Sequence, residues 1–314
     1  MAEVLHHTVE TNGIRMHVAE SGEGFPVVLC HGFPELWYSW RHQLPALAEA
    51  GFRAIAPDMR GYGETDAPAD PAQYTMRVLT ADIAGLLDAL GIERAVIAGH
   101  DWGGALIWQF ALRYPERTER VIGLNTPYNP PGPVPPTQAL RERFGGDDKY
   151  YVLYFQEPGR AEAELEADVR SNLAKMMHRF DRAEDLWTFA TVGGDGSGVF
   201  TRIEPGGSLL TGEELDVYTG AFTRTGFTGG LNWYRAIDLS WEEMRTLPSH
   251  TITVPCLMIT AEHDLILRPE MAEPMRQWVP GIRIEMIPRC SHWTQQERPA
   301  EVNALLLDFL GDLH

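Results

Sequence analysis

A tight turn with an acidic centre, Gly99-His100-Asp101-Trp102-Gly103, lies between an apolar strand-like run and an amphipathic helical run. Its spacing matches Gly-x-Ser-x-Gly, the nucleophile elbow, in which small residues permit a strained strand-to-helix turn that exposes the middle side chain. The chain contains no Gly-x-Ser-x-Gly, so Asp101 takes the place of the serine. An acidic residue at such a junction is also typical of a plain helix N-cap. Asp101 is therefore a candidate nucleophile only in combination with suitable partners.

Two such partners follow in chain order. Asp264 ends the run Thr-Ala-Glu-His-Asp and His292 lies in Cys-Ser-His-Trp, each shortly after a predicted strand. Nucleophile, acid and histidine occur in this order in proteins with a nucleophile elbow, and ligands of open α/β sheets bind beyond the carboxyl ends of the strands. We expect Asp264 to orient His292 as a general base. The nearby His31, His100 and His263 are expected to shape the site rather than to react.

The tetrapeptide His31-Gly32-Phe33-Pro34 follows another predicted strand. A loop at this position supplies one N–H of an oxyanion hole, and the residue after the nucleophile supplies the other. The sequence therefore assigns the oxyanion hole to Phe33 and Trp102. An ordinary turn that contains proline is also consistent with these four residues.

A carboxylate nucleophile implies different chemistry from a serine, because it is already ionised. Asp101 can attack an electrophilic sp³ carbon and form an alkyl ester, which water activated by His292 can then hydrolyse. An epoxide and an alkyl halide both suit this scheme. Opening an epoxide requires an acid, and a tyrosine hydroxyl can supply it. The pattern alone selects none of six tyrosines in the middle of the chain: Tyr128, Tyr150, Tyr151, Tyr154, Tyr218 and Tyr234.

Alternating strand-like and helical runs must position these residues. Strands are predicted at 7–10, 14–19, 26–30, 52–56, 95–98, 121–124, 256–260 and 282–287. Helices are predicted at 79–90, 104–112, 161–174, 181–189, 213–223, 233–241, 269–278 and 300–310. This alternation predicts an α/β fold with a mostly parallel, eight-stranded sheet and helices on both faces.

The alternation is interrupted after Asn125. Residues 126–138 hold six prolines in thirteen residues, which excludes helix and interior strand there. The following stretch to about residue 248 is helix-like, with a glycine-rich break at 193–198 that is either an entrance loop or a loop tip. We expect residues 1–126 and 249–314 to form an α/β core, and residues 127–248 to form an inserted helical cap.

Composition excludes several functions. The 314 residues carry a formal net charge of −18, which argues against binding to nucleic acid and to anionic membrane surfaces. No apolar run is long enough to insert into a membrane, and the first thirty residues show no signal-peptide pattern, so a cytoplasmic protein is expected. The three cysteines are expected to be buried thiols, and no metal-binding motif occurs.

Several motifs in the same order resemble the epoxide hydrolases of the α/β-hydrolase fold, especially the C-terminal hydrolase domain of the mammalian soluble type. They are HGFPELWYSW, DMRGYGETDAP, GHDWGG, LNTP, YYVLYFQEPG, LNWYR, TAEHD and SHWTQ. The resemblance implies that Tyr151 and Tyr234 bind and protonate the epoxide oxygen, with Tyr150 and Tyr154 as competitors of Tyr151. It also implies a cis proline after Phe33 and a reaction without cofactor or metal.

The expected substrates are water and a small hydrophobic epoxide, because aromatic residues are frequent in the insertion. Besides Phe155 and Trp233, these include Trp187, Phe189, Phe222 and Phe227. The candidate substrate contacts are Trp102, Phe33, Trp233, Phe155 and Trp293. A haloalkane dehalogenase with the same nucleophile and a non-catalytic ligand-binding protein are the alternative interpretations, and a homodimer is left open.

Overall fold

The structure, a computed structural model, describes residues 3–146, 150–179 and 209–313. The predicted helix at 181–189, with Trp187 and Phe189, and the glycine-rich break at 193–198 lie outside these residues.

The described residues form one eight-stranded sheet with the strand order β1-β2-β4-β3-β5-β6-β7-β8. Strands β1, β2 and β4 pair antiparallel, and the remaining pairs are parallel. The bounds are β1 Leu5–Thr11, β2 Ile14–Ser21, β3 Phe25–Cys30, β4 Phe52–Pro57, β5 Ala95–His100, β6 Thr118–Leu124, β7 Cys256–Ala261 and β8 Arg283–Ile287. The predicted α/β fold with a mostly parallel sheet is thereby confirmed.

Local sequence explains these strands. All six residues of β5 and all six of β7 are buried, as expected for central strands covered on both faces. The turn between β1 and β2 is Asn12-Gly13, with φ values of 43° and 77°. Positive φ at both positions is what a two-residue hairpin requires, and Asn-Gly is the dipeptide that best adopts it.

Helices cover both faces of the sheet. Along β5, Val96 and Ala98 belong to one apolar cluster with Leu44 and Leu306, whereas Ile97 belongs to a second cluster. Helices from the start and the end of the chain therefore pack on one face, and helices from its centre on the other. The helices outside the β6–β7 connection are α1 Gln43–Glu49, α2 Met76–Ala89, α3 Trp102–Arg113, α11 Thr294–Glu297 and α12 Pro299–Leu310.

All regular elements described between β6 and β7 are helical. These inserted helices are α4 Pro136–Phe144, α5 Tyr151–Tyr154, α6 Arg160–Ala167, α7 Val169–Met176, α8 Gly212–Thr225, α9 Thr228–Arg235 and α10 Ile237–Arg245. Within the described ranges, no helix is long and apolar enough to cross a membrane.

One predicted helix is wrong. Residues 269–278 form two short 3₁₀ segments, Pro269–Met271 and Glu273–Gln277, instead of an α-helix. Pro274 explains the interruption, because proline lacks an N–H and its ring clashes with the preceding turn.

Three other expectations need correction in the inserted helices. The predicted helix at 161–174 is divided by Asp168, whose carboxylate caps α7 by accepting from the N–H of Ser171. The predicted helix at 233–241 is divided at Ala236. Residues 126–138 were expected to exclude helix, yet α4 begins at Pro136. Proline is favoured at the first helical position, where its missing N–H would have no partner.

Candidate active site

Asp101 stands at the sharp junction between β5 and α3, with φ 51° and ψ −117°. A Cβ on Gly99 would lie 2.3 Å from the carbonyl oxygen of Gly103, and a Cβ on Gly103 would lie 2.1 Å from that of Cys30. The turn therefore tolerates no larger residues at either position. This close packing against β3 is the local reason that the sequence forms a nucleophile elbow.

The loop after β3 contacts the Asp101 carboxylate directly. The Phe33 N–H donates to Oδ1 of Asp101 at 2.9 Å, and the Phe33–Pro34 peptide bond is cis. A Cβ on Gly32 would lie 2.3 Å from the same Oδ1. Trp102 begins α3, so its backbone N–H belongs to the helix N-terminus beside the carboxylate. The Phe33 N–H thus contacts the carboxylate directly, and the predicted second donor, Trp102, follows Asp101 at the start of α3.

The structure brings Asp264 and His292 to Asp101. Nδ1 of His292 lies 2.9 Å from Oδ2 of Asp264, and Nε2 of His292 lies 3.6 Å from Oδ2 of Asp101. Asp264 is buried, and its Oδ1 accepts from the N–H groups of Ile266 and Leu267 at 3.0 and 2.9 Å. The carboxylate of Asp264 is thus held in one orientation and directs Nε2 of His292 toward the elbow.

Burial and charge set the protonation of this pair. Burial raises the pKa of Asp264, but the His292 charge and the hydrogen bonds together hold that pKa below its ordinary value. Burial lowers the pKa of His292, whereas the charge and hydrogen bond of Asp264, and then the charge of Asp101, raise it to about 9. His292 is therefore cationic at neutral pH.

A second buried histidine–carboxylate pair lies behind His292. Nδ1 of His100 lies 2.7 Å from Oε2 of Glu35, and Nε2 lies 2.7 Å from the carbonyl oxygen of His292. Each ring nitrogen of His100 thus has an oxygen atom within hydrogen-bond distance. Burial raises the pKa of Glu35, but the charge and hydrogen bond of His100 lower it to about 2 overall. The pair fixes the backbone of His292, in keeping with the shaping role expected of His100.

Two tyrosines of the inserted helices line the same cavity as Asp101, Asp264 and His292. They are Tyr151 and Tyr234, whose ring centroids are 5.9 Å apart. Desolvation raises the pKa of each tyrosine far above its ordinary value. The next contribution is the Tyr150 charge for Tyr151 and the Asp101 charge for Tyr234, and both also raise the pKa. Both hydroxyls are therefore protonated at any physiological pH and can donate a proton into the cavity.

The competitors of Tyr151 make other contacts. The ring of Tyr150 stacks on Phe144 with a centroid distance of 4.2 Å, and the hydroxyl of Tyr154 donates to Glu164 at 2.9 Å. Neither belongs to the described cavity lining. Tyr151 is thus the candidate that the geometry favours among the three.

The predicted substrate contacts divide into two groups. Phe33, Phe155 and Trp293 line the cavity. Trp102 and Trp233 are absent from its described lining: the Trp102 ring packs edge-on against Tyr234 at 4.9 Å, and the indole N–H of Trp233 donates to the carbonyl oxygen of Arg60 at 3.0 Å. The structure therefore gives these two indoles a supporting position behind Tyr234.

The cavity lining also includes Pro34 of the predicted tetrapeptide and His263, which was expected to shape the site. Sequence analysis did not assign Met176, Leu265 and Ile266 to the cavity. Leu265 and Ile266 directly follow Asp264, so their position in the chain was a usable signal. Met176 ends a helix of the insertion and has no such signal. No group of three or more His, Cys, Asp or Glu side chains that could hold a metal occurs among the described residues.

Comparison with known proteins places this geometry in a family. Residues 26–299 match the family model of the alpha/beta hydrolase fold. Epoxide hydrolase A of Mycobacterium tuberculosis is 47% identical over 97% of this chain and 97% of its own length. The bifunctional epoxide hydrolase 2 of Sus scrofa is 46% identical over 95% of this chain, which spans only 53% of that protein.

Solved structures agree with the sequence relatives. The crystal structure of epoxide hydrolase A from Mycobacterium thermoresistibile has a TM-score of 0.93 and 44% identity, covering 99% of both chains. Potato epoxide hydrolase I has a TM-score of 0.89 and 34% identity, covering 98% of this chain and 99% of its own. The chain therefore belongs to the epoxide hydrolases of the alpha/beta hydrolase fold.

Proposed function

We propose that this protein hydrolyses a small apolar epoxide to a vicinal diol through an alkyl ester on Asp101. The observation that carries the proposal is the presence of two protonated tyrosines, Tyr151 and Tyr234, in the wall of the cavity that holds the carboxylate. The halide of an alkyl halide would leave as a stable anion, whereas an opening epoxide develops an alkoxide that requires such proton donors.

In the first step, the carboxylate of Asp101 attacks an epoxide carbon and the ring C–O bond breaks. Oδ1 already accepts from the Phe33 N–H, so Oδ2 forms the new bond and Oδ1 becomes the ester carbonyl oxygen. The developing alkoxide takes a proton from Tyr151 or Tyr234, leaving a hydroxyalkyl ester and a tyrosinate. The aromatic lining from Phe33, Phe155 and Trp293 favours an apolar substituent on the epoxide.

In the second step, His292 removes a proton from water, which attacks the carboxyl carbon of Asp101. Esterification removes the charge of Asp101, one of the charges that raise the pKa of His292. Formation of the ester thus increases the fraction of neutral His292 at the moment a base is needed. The oxyanion at Oδ1 accepts from Phe33 and Trp102. The bond between the carboxyl carbon and the alkoxy oxygen then breaks, and the leaving oxygen takes the proton of the added hydroxyl, which releases the diol and restores the Asp101 carboxylate. The proton held by His292 restores the tyrosine.

The proposal includes the arrangement of the chain around this chemistry. Residues 127–248 act as a cap that supplies the acids, and residues 1–126 and 249–314 act as the core that supplies nucleophile, base and orienting acid. Both steps use only side chains and water, so the proposed reaction requires no cofactor or metal.

The test is parallel turnover of styrene oxide and a 1-bromoalkane by the full chain, with diol and bromide measured separately. We expect diol from the epoxide, loss of diol formation in Asp101→Ala, and little bromide. Bromide release without diol would assign the protein to haloalkane dehalogenation. Tight binding of both compounds without formation of either product would support the alternative of a non-catalytic ligand-binding protein.

A further inference from the structure

The turn Asn125-Thr126, at the carboxyl end of β6, is part of the LNTP motif but has no role in the steps above. Asn125 is 1% exposed and has φ 63°, in the left-handed region that few residues other than glycine adopt. Its N–H donates to the carbonyl oxygen of Ile259 at 2.9 Å, which anchors the turn to β7. Asparagine tolerates this backbone conformation better than most residues.

One side of this turn holds the nucleophile. The Thr126 hydroxyl donates to the carbonyl oxygen of Asp101 at 2.7 Å. The carbonyl oxygen of Thr126 in turn accepts from the indole N–H of Trp108 at 2.9 Å, so α3 and the turn hold each other in place. A Cβ on Gly104 would lie 2.8 Å from the Thr126 side chain, which shows how closely elbow and turn approach.

The other side of the turn holds the orienting acid. Nδ2 of Asn125 donates to Oδ2 of Asp264 at 2.7 Å, the same oxygen that Nδ1 of His292 contacts at 2.9 Å. Together with the two backbone donors on Oδ1, the Asn125 amide prevents rotation of the carboxylate about its Cβ–Cγ bond. The oxygen that orients His292 is therefore kept in position by Asn125.

The same amide reaches the loop of the base. Oδ1 of Asn125 accepts from the Thr294 hydroxyl at 2.7 Å. The backbone N–H of Thr294 donates to the carbonyl oxygen of His292 at 2.9 Å. A single asparagine side chain thus connects the loop of Asp264 with the loop of His292, and the next residue connects both with the elbow.

We propose that Asn125 and Thr126 are positioning residues that hold the three loops of Asp101, Asp264 and His292 in fixed positions relative to one another. The inference rests on the proposed function, because it assigns one residue of the turn to ester hydrolysis and the other to ester formation. Asn125 acts through Asp264 on His292 and so affects ester hydrolysis. Thr126 acts through the backbone of Asp101 and so affects ester formation.

The test measures both steps by rapid quench and intact mass after mixing with styrene oxide. Asn125→Gly removes the amide but keeps a residue that accepts the left-handed backbone. We expect ester decay to slow roughly tenfold to a hundredfold, as for a modest misplacement of a catalytic group. Ester formation is expected to stay within about threefold of the parent, because the Phe33 contact to Asp101 is retained.

Two further pairs of variants distinguish a loss of positioning from a loss of folding. Thr294→Val removes the hydroxyl that Asn125 accepts from, and is expected to slow ester decay, whereas Thr294→Ser is expected to restore it. Thr126→Val is expected to slow ester formation, whereas Thr126→Ser restores it. Thr118→Val is the matched control: Thr118 is fully buried at the opposite end of β6, and its hydroxyl donates to the carbonyl oxygen of Tyr114 at 2.9 Å. It should lower stability without changing either step.

The outcomes are distinguishable. If the parent forms diol through an observable ester and Asn125→Gly leaves ester decay unchanged, or slows both steps equally, the inference fails and the proposed function stands. If the parent forms no ester, the proposed function fails and the inference fails with it. If Asn125→Gly does not fold, the Thr294→Val and Thr294→Ser pair decides, since equal ester decay in both would refute the role of Asn125.

Discussion

Nε2 of His292 lies 3.6 Å from Oδ2 of Asp101, beyond the distance of a good hydrogen bond. The carboxylate oxygen is therefore available to attack an electrophilic carbon instead of being held by the imidazole. Because the raised pKa of His292 makes it cationic at neutral pH, it forms a loose ion pair with the Asp101 carboxylate. Four predictions follow from this relationship and from the surrounding contacts.

The pKa of His292 should depend on the charge of Asp101. Replacing Asp101 by Asn imitates the neutral ester, so the pKa of His292 should fall below the parent value of about 9. An NMR titration of the His292 ring in both proteins measures the change. In the parent, ester decay should fall as the pH drops through the pKa of His292 in the ester, because only the neutral ring accepts a proton. An unchanged pKa in Asp101→Asn would contradict the proposed link between the two steps.

Removal of the base should separate the two steps. His292→Gln retains Asp101, Phe33 and both tyrosines, so the ester should form but should not be hydrolysed. Intact mass after incubation with styrene oxide should show one added epoxide mass, mapped to Asp101 by peptide analysis. The double variant Asp101→Ala with His292→Gln serves as the control and should remain unmodified. An adduct on any other residue would argue against Asp101 as the nucleophile.

The two tyrosines should act on ring opening. Tyr151→Phe and Tyr234→Phe should each slow ester formation, and the double variant should lose about 10²–10⁴-fold. The rate of ester formation under single-turnover conditions measures the effect. Tyr154→Phe is a matched control, since its hydroxyl donates to Glu164 outside the cavity. If the double variant opened the epoxide at the parental rate, the acid would have to be another group.

Gly32 should be irreplaceable. In Gly32→Ala, the new Cβ would lie 2.3 Å from Oδ1 and 2.4 Å from Cβ of Asp101, so the nucleophile or the loop has to move. A displacement of about 1 Å can cost roughly a hundredfold in rate, so we expect diol formation to fall by at least that factor. Gly220→Ala is the control, because Gly220 lies within α8 and a Cβ there meets no atom within 4 Å. It should retain activity and gain helix stability of about 0.5–1 kcal/mol.

Sequence by itself determined the elements that have strong local signals. The apolar runs of β3, β5 and β7 identified the buried strands, because burial requirements act there over a few residues. Motif order also determined the proposed roles of Asp101, Asp264 and His292. The interrupted segment at 269–278 and the helix that begins at Pro136 were missed, since one proline can end or begin a helix depending on its position.

Only the tertiary structure decided which side chains meet. Tyr150, Tyr151 and Tyr154 have the same chemistry and neighbouring positions, but only Tyr151 belongs to the described cavity lining, while Tyr150 stacks on Phe144 and Tyr154 donates to Glu164. Trp233 is as aromatic as Phe155, yet its N–H is satisfied by Arg60 outside the cavity lining. In the sequence, Asn125 marked only the point where the alternation is interrupted, and its contacts with Asp264 and Thr294 exist only because three distant loops converge at the sheet edge. Such contacts depend on the register and packing of whole elements, which no local pattern encodes.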